Sequence, residues 1–100
     1  GRGEGTNVVA AGALALDPVA RLATLDGVPI DLSRKEFALL HLFLRRAGHI
    51  IPQDEILEQL YALEAERDRN AVEALVSRLR RKIGRERVRT VRGLGYRLDP

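Results

Sequence analysis

The basic side chains of this chain are concentrated in its last third, where they could form ion pairs with a polyanion. Residues 68–100 contain ten lysines and arginines against four acids, whereas residues 1–67 contain seven against ten. Such an asymmetry is typical of a surface that binds phosphate groups. A solvated charged surface has the same composition, so the helices and strands that carry these residues must decide between the two.

Residues 70–83 place part of this charge on one face of a helix. Apolar residues recur there at intervals of four, three and four, at Val72, Val76, Leu79 and Ile83, which predicts a stripe facing a core. The opposite face carries Asn70, Ala74, Ser77, Arg78 and Arg81, with Ala71, Glu73 and Arg80 on its flanks. Small residues let a helix enter a groove about 12 Å wide, where arginine can bind guanine. A plain solvent-exposed face is the alternative.

A second basic element follows this helix. Two short strands are predicted at residues 88–91 and 96–98, and this ribbon carries Arg87, Arg89, Arg92 and Arg97. The hydroxyls of Thr90 and Tyr96 could bind phosphate as well. Gly93-Leu94-Gly95 is interpreted as a tight turn, because no lysine and no strand–turn–helix context of a nucleotide-binding loop accompany it.

Catalytic and metal sites are not predicted. The chain has no cysteine, and its two histidines, His41 and His49, lack a third ligand for a metal ion. Asp54 and Glu55 are adjacent at a helix start, where acids favour the helix dipole. No apolar run approaches the roughly 20 residues that span a bilayer. We therefore expect no enzyme activity, no cofactor, no membrane partner and a cytoplasmic location.

The rest of the chain supplies the elements that position the basic residues. Asp26-Gly27 between two apolar runs predicts a hairpin, so the first third should form an antiparallel sheet of three or four strands. Ser33 and Glu36 fit a capping box before a first helix that ends at Gly48. A second helix is predicted over residues 53–61 and a third over about 69–83, capped by Asp68 or Asn70. The predicted fold is α+β: a winged helix-turn-helix domain over residues 8–100, preceded by a linker remnant at 1–7.

Three segments resemble the DNA-binding domains of OmpR/PhoB-family response regulators. They are LSRKEFALL at 32–40, NAVEALVSRLRRKI at 70–83 and VRTVRGLGYRL at 88–98, and the resemblance extends over about residues 12–98. It implies sequence-specific binding of double-stranded DNA by the effector domain of a two-component regulator. The third helix would enter the major groove, and the wing at 88–98 would lie on the adjacent backbone or minor groove.

The resemblance also implies roles for particular residues and partners. Asn70, Ser77, Arg78 and Arg80 match positions that meet DNA from the recognition helix, and Thr90, Arg92 and Tyr96 match wing positions that meet phosphate or the minor groove. Glu64 and Glu66 belong to a loop that is presented to RNA polymerase. A receiver domain, phosphorylated by a sensor kinase, would precede this domain. The isolated domain would be monomeric and would form a head-to-tail dimer on direct repeats of promoter DNA.

Three residues depart from the family pattern. Leu75 stands where a polar residue or histidine often reaches DNA, so it either contacts a thymine methyl or belongs to the edge of the core. Pro52 replaces the usual serine cap of the second helix, and Gln53 replaces a common basic residue, which puts one phosphate contact in doubt. Two other functions stay open: a winged helix that binds protein instead of DNA, and a nucleic-acid-binding domain without sequence preference.

Overall fold

The computed structural model describes residues 7–64 and 68–100. The chain forms β1 (Val9–Ala11), β2 (Leu14–Asp17), β3 (Leu22–Leu25), β4 (Val28–Ile30), α1 (Arg34–Arg45), β5 (Ile50–Ile51), α2 (Gln53–Tyr61), α3 (Arg69–Ile83), a short 3-10 turn (Arg85–Arg87), β6 (Val88–Val91) and β7 (Gly95–Leu98). Apart from Asn7, the linker predicted at 1–7 lies outside the described residues. Within the described ranges, no helix is both long and apolar enough to cross a membrane.

The first four strands form an antiparallel sheet in the order β1-β2-β3-β4. The predicted hairpin at Asp26-Gly27 joins β3 to β4, with Leu25 paired to Val28. Both turn residues have positive φ, 53° and 80°, as the two-residue turn that follows strand twist requires. One face of the sheet buries Leu14, Leu16 and Ala23 against the helices. The sequence predicts three or four strands for this sheet, and the structure has four within the described residues.

Helix α1 is the centre of the core. Ser33 caps it through the predicted capping box: its hydroxyl accepts from the Glu36 N–H, and the Glu36 carboxylate accepts from the Ser33 N–H. Its buried apolar side chains are Phe37, Leu39, Leu40, Leu42, Phe43 and Leu44. At about 25 cal/mol per Å² of apolar surface, a stripe this wide stabilises the fold far more than the cap does.

Helices α2 and α3 pack against α1 and begin differently. Pro52 precedes α2 without a side-chain capping hydrogen bond, as its missing acceptor predicts. Asp68 caps α3 by accepting from the Ala71 N–H at 3.0 Å, which resolves the choice between Asp68 and Asn70. The predicted apolar stripe of α3 is buried, and Leu75 is fully buried beside it. Leu75 therefore belongs to the core.

The C-terminal hairpin is part of a three-stranded sheet in the order β5-β7-β6. The sequence predicts the hairpin but treats Ile50-Ile51 only as a short extended stretch. The pairing of Ile51 with Tyr96 brings the backbone so close that a Cβ on Gly95 would lie 2.2 Å from the Ile51 carbonyl oxygen. Within the described ranges, three helices and two sheets, the second of which contains this terminal hairpin, make a winged helix-turn-helix domain, which confirms the predicted fold class.

Candidate nucleic-acid interface

The outer face of α3 is the first part of the candidate interface. Asn70, Ala74 and Arg81 are exposed, and Ser77 is half-buried. None of these four side chains has a partner within the described part of the chain. The face is therefore neutral and narrow at its N-terminal half and basic toward its C-terminus, as the sequence predicts.

Arg78 lies on one edge of this face, toward the start of α1. Its Nε is 3.5 Å from Glu36 Oε2, and Lys82 Nζ donates to Glu36 Oε1 at 2.7 Å. The Glu36 side chain is only 4% exposed, whereas Arg78 is 47% exposed. Burial by itself would raise the pKa of Glu36, but the hydrogen bonds from Lys82 and the Ser33 N–H and the charge of Arg78 outweigh it and lower the pKa. The buried acid is thus ionised beside two cations.

Arg80 lies on the opposite edge of α3 and turns toward the wing. Its Nε donates to the Val88 carbonyl at 2.9 Å, and its Nη2 donates to the Thr90 hydroxyl at 2.8 Å. The guanidinium carbon is 5.7 Å from the centre of the Tyr96 ring. Arg80 therefore joins the helix to the hairpin, a role that the sequence analysis does not assign to it.

The arginines of the hairpin region differ in their availability. Arg87 Nη1 donates to the Ile83 carbonyl at 2.8 Å, and Arg97 forms a two-pronged pair with Asp99 at 2.8 and 3.1 Å. Arg89 lies 3.7 Å from the same Asp99 carboxylate. Arg92, at the turn, is exposed and has no partner among the described residues. It is the wing arginine best placed to meet a phosphate.

Thr90 and Tyr96 face α3, because they are paired across the hairpin and alternate with the pair Arg89 and Arg97. Thr90 is exposed, and its oxygen already accepts from Arg80. Tyr96 is only 7% exposed, and this burial, with Glu73 nearby, raises the pKa of its phenol. Tyr96 thus contributes mainly to packing, and its predicted phosphate contact stays a prediction.

A groove separates the starts of α2 and α3 from the wing. Its lining includes Gln53, Asp54, Arg69, Glu73 and Tyr96. Arg69 pairs with Asp54 at 3.4 Å, and Gln53 Nε2 donates to the Arg69 carbonyl at 3.3 Å. Gln53 is uncharged and its amide is engaged with α3 in this way, and the lack of a phosphate contact at this position stays a prediction.

The connection between α2 and α3 begins on the α1 side of the molecule. Glu64 forms an ion pair with Lys35, and Lys35 Nζ lies 4.8 Å from the centre of the Tyr61 ring. Glu66, the other acid predicted to meet RNA polymerase, lies outside the described residues. Sequence reasoning missed the ionic roles of Glu36, Lys82 and Lys35; the spacing of Arg78 and Lys82, one turn apart on one helix edge, is the signal that could have indicated an acidic partner.

Known proteins are similar to this chain in sequence and in fold. The sequence profile of a family described as "Transcriptional regulatory protein, C terminal" matches residues 27–98. The chain belongs to this family. As a member, it is 48% identical over 96 residues to the transcriptional regulatory protein QseB of Escherichia coli O157:H7, and 40% identical over 88 residues to the response regulator protein PmrA of Pseudomonas aeruginosa.

These alignments cover 96% and 88% of this family member but only 44% and 40% of the two relatives. The chain thus spans less than half the length of the curated relatives it matches. Among solved structures, the RstA DNA-binding domain of Klebsiella pneumoniae, crystallised in complex with the RstA box, superposes with a TM-score of 0.79 at 31% identity. That match covers 94% of this chain and 98% of the RstA chain. The OmpR/PhoB resemblance is thereby confirmed.

Proposed function

We propose that this domain binds double-stranded promoter DNA sequence-specifically as the effector domain of a two-component response regulator. The observation that carries the proposal is the attachment of the wing to α3 by Arg80. Because these hydrogen bonds hold the wing beside α3, the outer face of α3 and the exposed Arg92 lie where one duplex could meet both. The RstA DNA-binding domain, which is similar over nearly its whole length, was crystallised in complex with the RstA box.

In this interface α3 enters the major groove and the wing lies on the neighbouring backbone or minor groove. Asn70, Ala74 and Ser77 approach the bases, Arg78 binds a base edge, and Arg81 and Arg92 bind phosphates. Arg80 uses Nε and Nη2 on the wing, so only Nη1 is available for a DNA contact. Thr90 and Tyr96 line the same side of the wing.

Arg78→Ala and Arg92→Ala test this division of roles. The preferred duplex is first selected from a random pool, and both variants are then titrated against it and a scrambled duplex at several salt concentrations. Arg78→Ala should cost about 1–3 kcal/mol on the preferred site and flatten preference at one base pair. Arg92→Ala should weaken both duplexes and lower the salt slope by about one.

The outcomes separate the candidate functions. Equal losses on both duplexes would remove Arg78 from the role of base reader. If the wing reads groove width, Arg92→Ala will also lose some preference. If neither variant alters DNA binding, a protein-interaction role replaces the proposal. Equal affinity of the wild type for preferred and scrambled duplexes indicates a binder without sequence preference.

The assembly on DNA is a second element of the proposal. We propose a monomer in solution that binds as a head-to-tail pair on direct repeats about one helical turn apart. Sedimentation of the free domain should give a monomer, and a tandem site should bind more tightly than a single half-site. A stable dimer without DNA, or equal affinity for both sites, would contradict it.

The full-length protein and its partners complete the proposal. Since the curated relatives are more than twice as long as the matched region, we propose a preceding receiver domain, phosphorylated in the cytoplasm by a sensor kinase. We further propose that Glu64 and Glu66 face RNA polymerase. Glu64→Ala combined with Glu66→Ala should reduce run-off transcription from an activated promoter without changing DNA affinity. A large loss of DNA affinity would contradict this placement.

A further inference from the structure

We infer that Glu36 is a positioning residue that restrains Arg78 and Lys82 and thereby reduces binding to non-specific DNA relative to the preferred site. This inference rests on the proposed DNA binding through α3. Glu36 belongs to α1 and is buried, so it touches no DNA itself. It would act only through the two cations that it holds at the edge of the recognition helix.

The geometry of the carboxylate supports a fixed arrangement. Its Oε1 accepts from the Ser33 N–H at 2.9 Å and from Lys82 Nζ at 2.7 Å, and its Oε2 lies 3.5 Å from Arg78 Nε. Lys82 Nζ also donates to the Asp31 carbonyl at 2.8 Å. The Glu36 carboxylate is therefore fixed at the start of α1. Its contacts in turn hold Arg78 and Lys82 in position on the surface.

The remaining atoms of Arg78 make this restraint useful for reading bases. Its ion pair with Glu36 runs through Nε at 3.5 Å, and neither Nη atom forms a hydrogen bond among the described residues. An arginine binds the guanine edge with two parallel N–H donors in a fixed plane. A guanidinium already held at Nε loses less side-chain entropy when it forms those contacts than a free one does.

The same restraint works against non-specific binding. Non-specific affinity comes from cations that neutralise phosphates and release counterions. Two of the three N–H donors of Lys82 are engaged by the Glu36 carboxylate and the Asp31 carbonyl, so at most one is available for a phosphate while these contacts persist. Glu36 places a negative charge beside two of the cations at this end of α3. It therefore lowers the affinity that comes from phosphate contacts more than the affinity that comes from base contacts. This difference increases specificity.

Glu36→Gln is the direct test, since the amide keeps the shape of the side chain and removes its charge. We expect tighter binding to a scrambled duplex, with a salt slope steeper by about one as released cations meet phosphates. The ratio of preferred to scrambled affinity should fall by roughly fivefold to tenfold, part of the discrimination of one bidentate contact. In an Arg78→Ala background, Glu36→Gln should lower this ratio little further.

Ser33→Ala is the matched control for loss of stability. It removes the capping hydroxyl at the same helix start and leaves Glu36, Arg78 and Lys82 unchanged. We expect it to lower the Tm while the affinity ratio and the salt slope stay at wild-type values. A purely structural role for Glu36 predicts that Glu36→Gln behaves like Ser33→Ala, and that result would overturn the inference.

Lys82→Gln gives a second test that does not depend on altering the buried acid. If Glu36 already neutralises Lys82, this variant should change the salt slope by less than half as much as Arg81→Ala, whose side chain has no partner in the described ranges. A full change of about one for both variants would refute the restraint. A wild-type domain that does not bind DNA at all would refute the proposed function and this inference with it. Normal wild-type binding with unchanged Glu36→Gln behaviour would refute the inference alone.

Discussion

Replacing Arg80 with alanine should separate a structural role from a DNA contact. The change removes the hydrogen bonds to the Val88 carbonyl and the Thr90 hydroxyl. Arg81, the next residue, is exposed and without a partner among the described residues, so Arg81→Ala is a matched control of the same chemical change. Arg80→Ala should mainly lower the stability of the fold, whereas Arg81→Ala should mainly reduce the salt-dependent part of DNA binding.

The magnitude follows from the partners of Arg80. Hydrogen bonds that involve a charged group stabilise by about 1.5–3 kcal/mol each, and neutral or exposed ones by less. Val88 is 1% exposed, so its bond should contribute about 1.5 kcal/mol, and the exposed Thr90 bond about 0.5 kcal/mol. Arg80→Ala should thus lower the free energy of unfolding by about 2 kcal/mol and the Tm by roughly 8–16 °C. Arg81→Ala should stay within about 0.5 kcal/mol.

Urea unfolding followed by circular dichroism measures the loss of stability, and duplex titration at several salt concentrations measures the change in DNA binding. Arg81→Ala should lower the salt slope by about one. Arg80→Ala should weaken binding by loosening the wing, with a change in salt slope of less than half that amount. If Arg80→Ala has wild-type stability and the full loss of slope, Arg80 is a phosphate contact and its attachment to the wing contributes nothing measurable.

Three further predictions concern stability. Gly95→Ala should lower the free energy of unfolding by about 3 kcal/mol or more in thermal melts, because its Cβ would meet the Ile51 carbonyl at 2.2 Å. Gly93→Ala is the control: it has open space around it and should cost only about 1–2 kcal/mol. Equal costs for the two variants would contradict the close approach at Gly95. Because the pKa of Glu36 is lowered from 4.5, its contribution to the free energy of unfolding should be complete above that pH and lost as the pH falls through its lower folded value. In urea unfolding at a series of acidic pH values, Glu36→Gln should therefore lose less stability toward low pH than the wild type. An equal loss in both would refute this assignment. Asp68→Ala should cost about 1 kcal/mol through loss of the α3 cap, and a neutral result in urea unfolding would show that the cap is not needed.

Local features of the fold could be predicted from the sequence because each depends on a few neighbouring residues. Asp26-Gly27 adopts the turn that its two positive φ angles allow, and Ser33 with Glu36 forms the capping box. The buried stripe of α3 follows from its helical spacing. The order of sheet, helices and hairpin then leaves few ways to cover these apolar faces, which is why the winged-helix fold could be predicted.

The candidate interface was predicted less completely, because the partners of charged residues are set by tertiary contacts. A helical projection places Arg78 and Arg80 near the outer face of α3, but it contains neither Glu36 nor the Val88 carbonyl. These partners are distant in the chain or belong to another element. The strand pairing of Ile51 with Tyr96 joins residues 45 positions apart, and a two-residue strand has no periodicity that could indicate it.

The three-stranded sheet of β5, β7 and β6 has a consequence for the shape of the duplex in the proposed complex. Strand β5 leads directly into Pro52 and α2, so the start of α2 and the tip of the wing are joined through backbone hydrogen bonds. This pairing holds the two at a set separation, and in the proposed complex a duplex that meets both would match it through its groove width and bend. We therefore expect base pairs that no side chain touches to influence affinity through the energy needed to deform them.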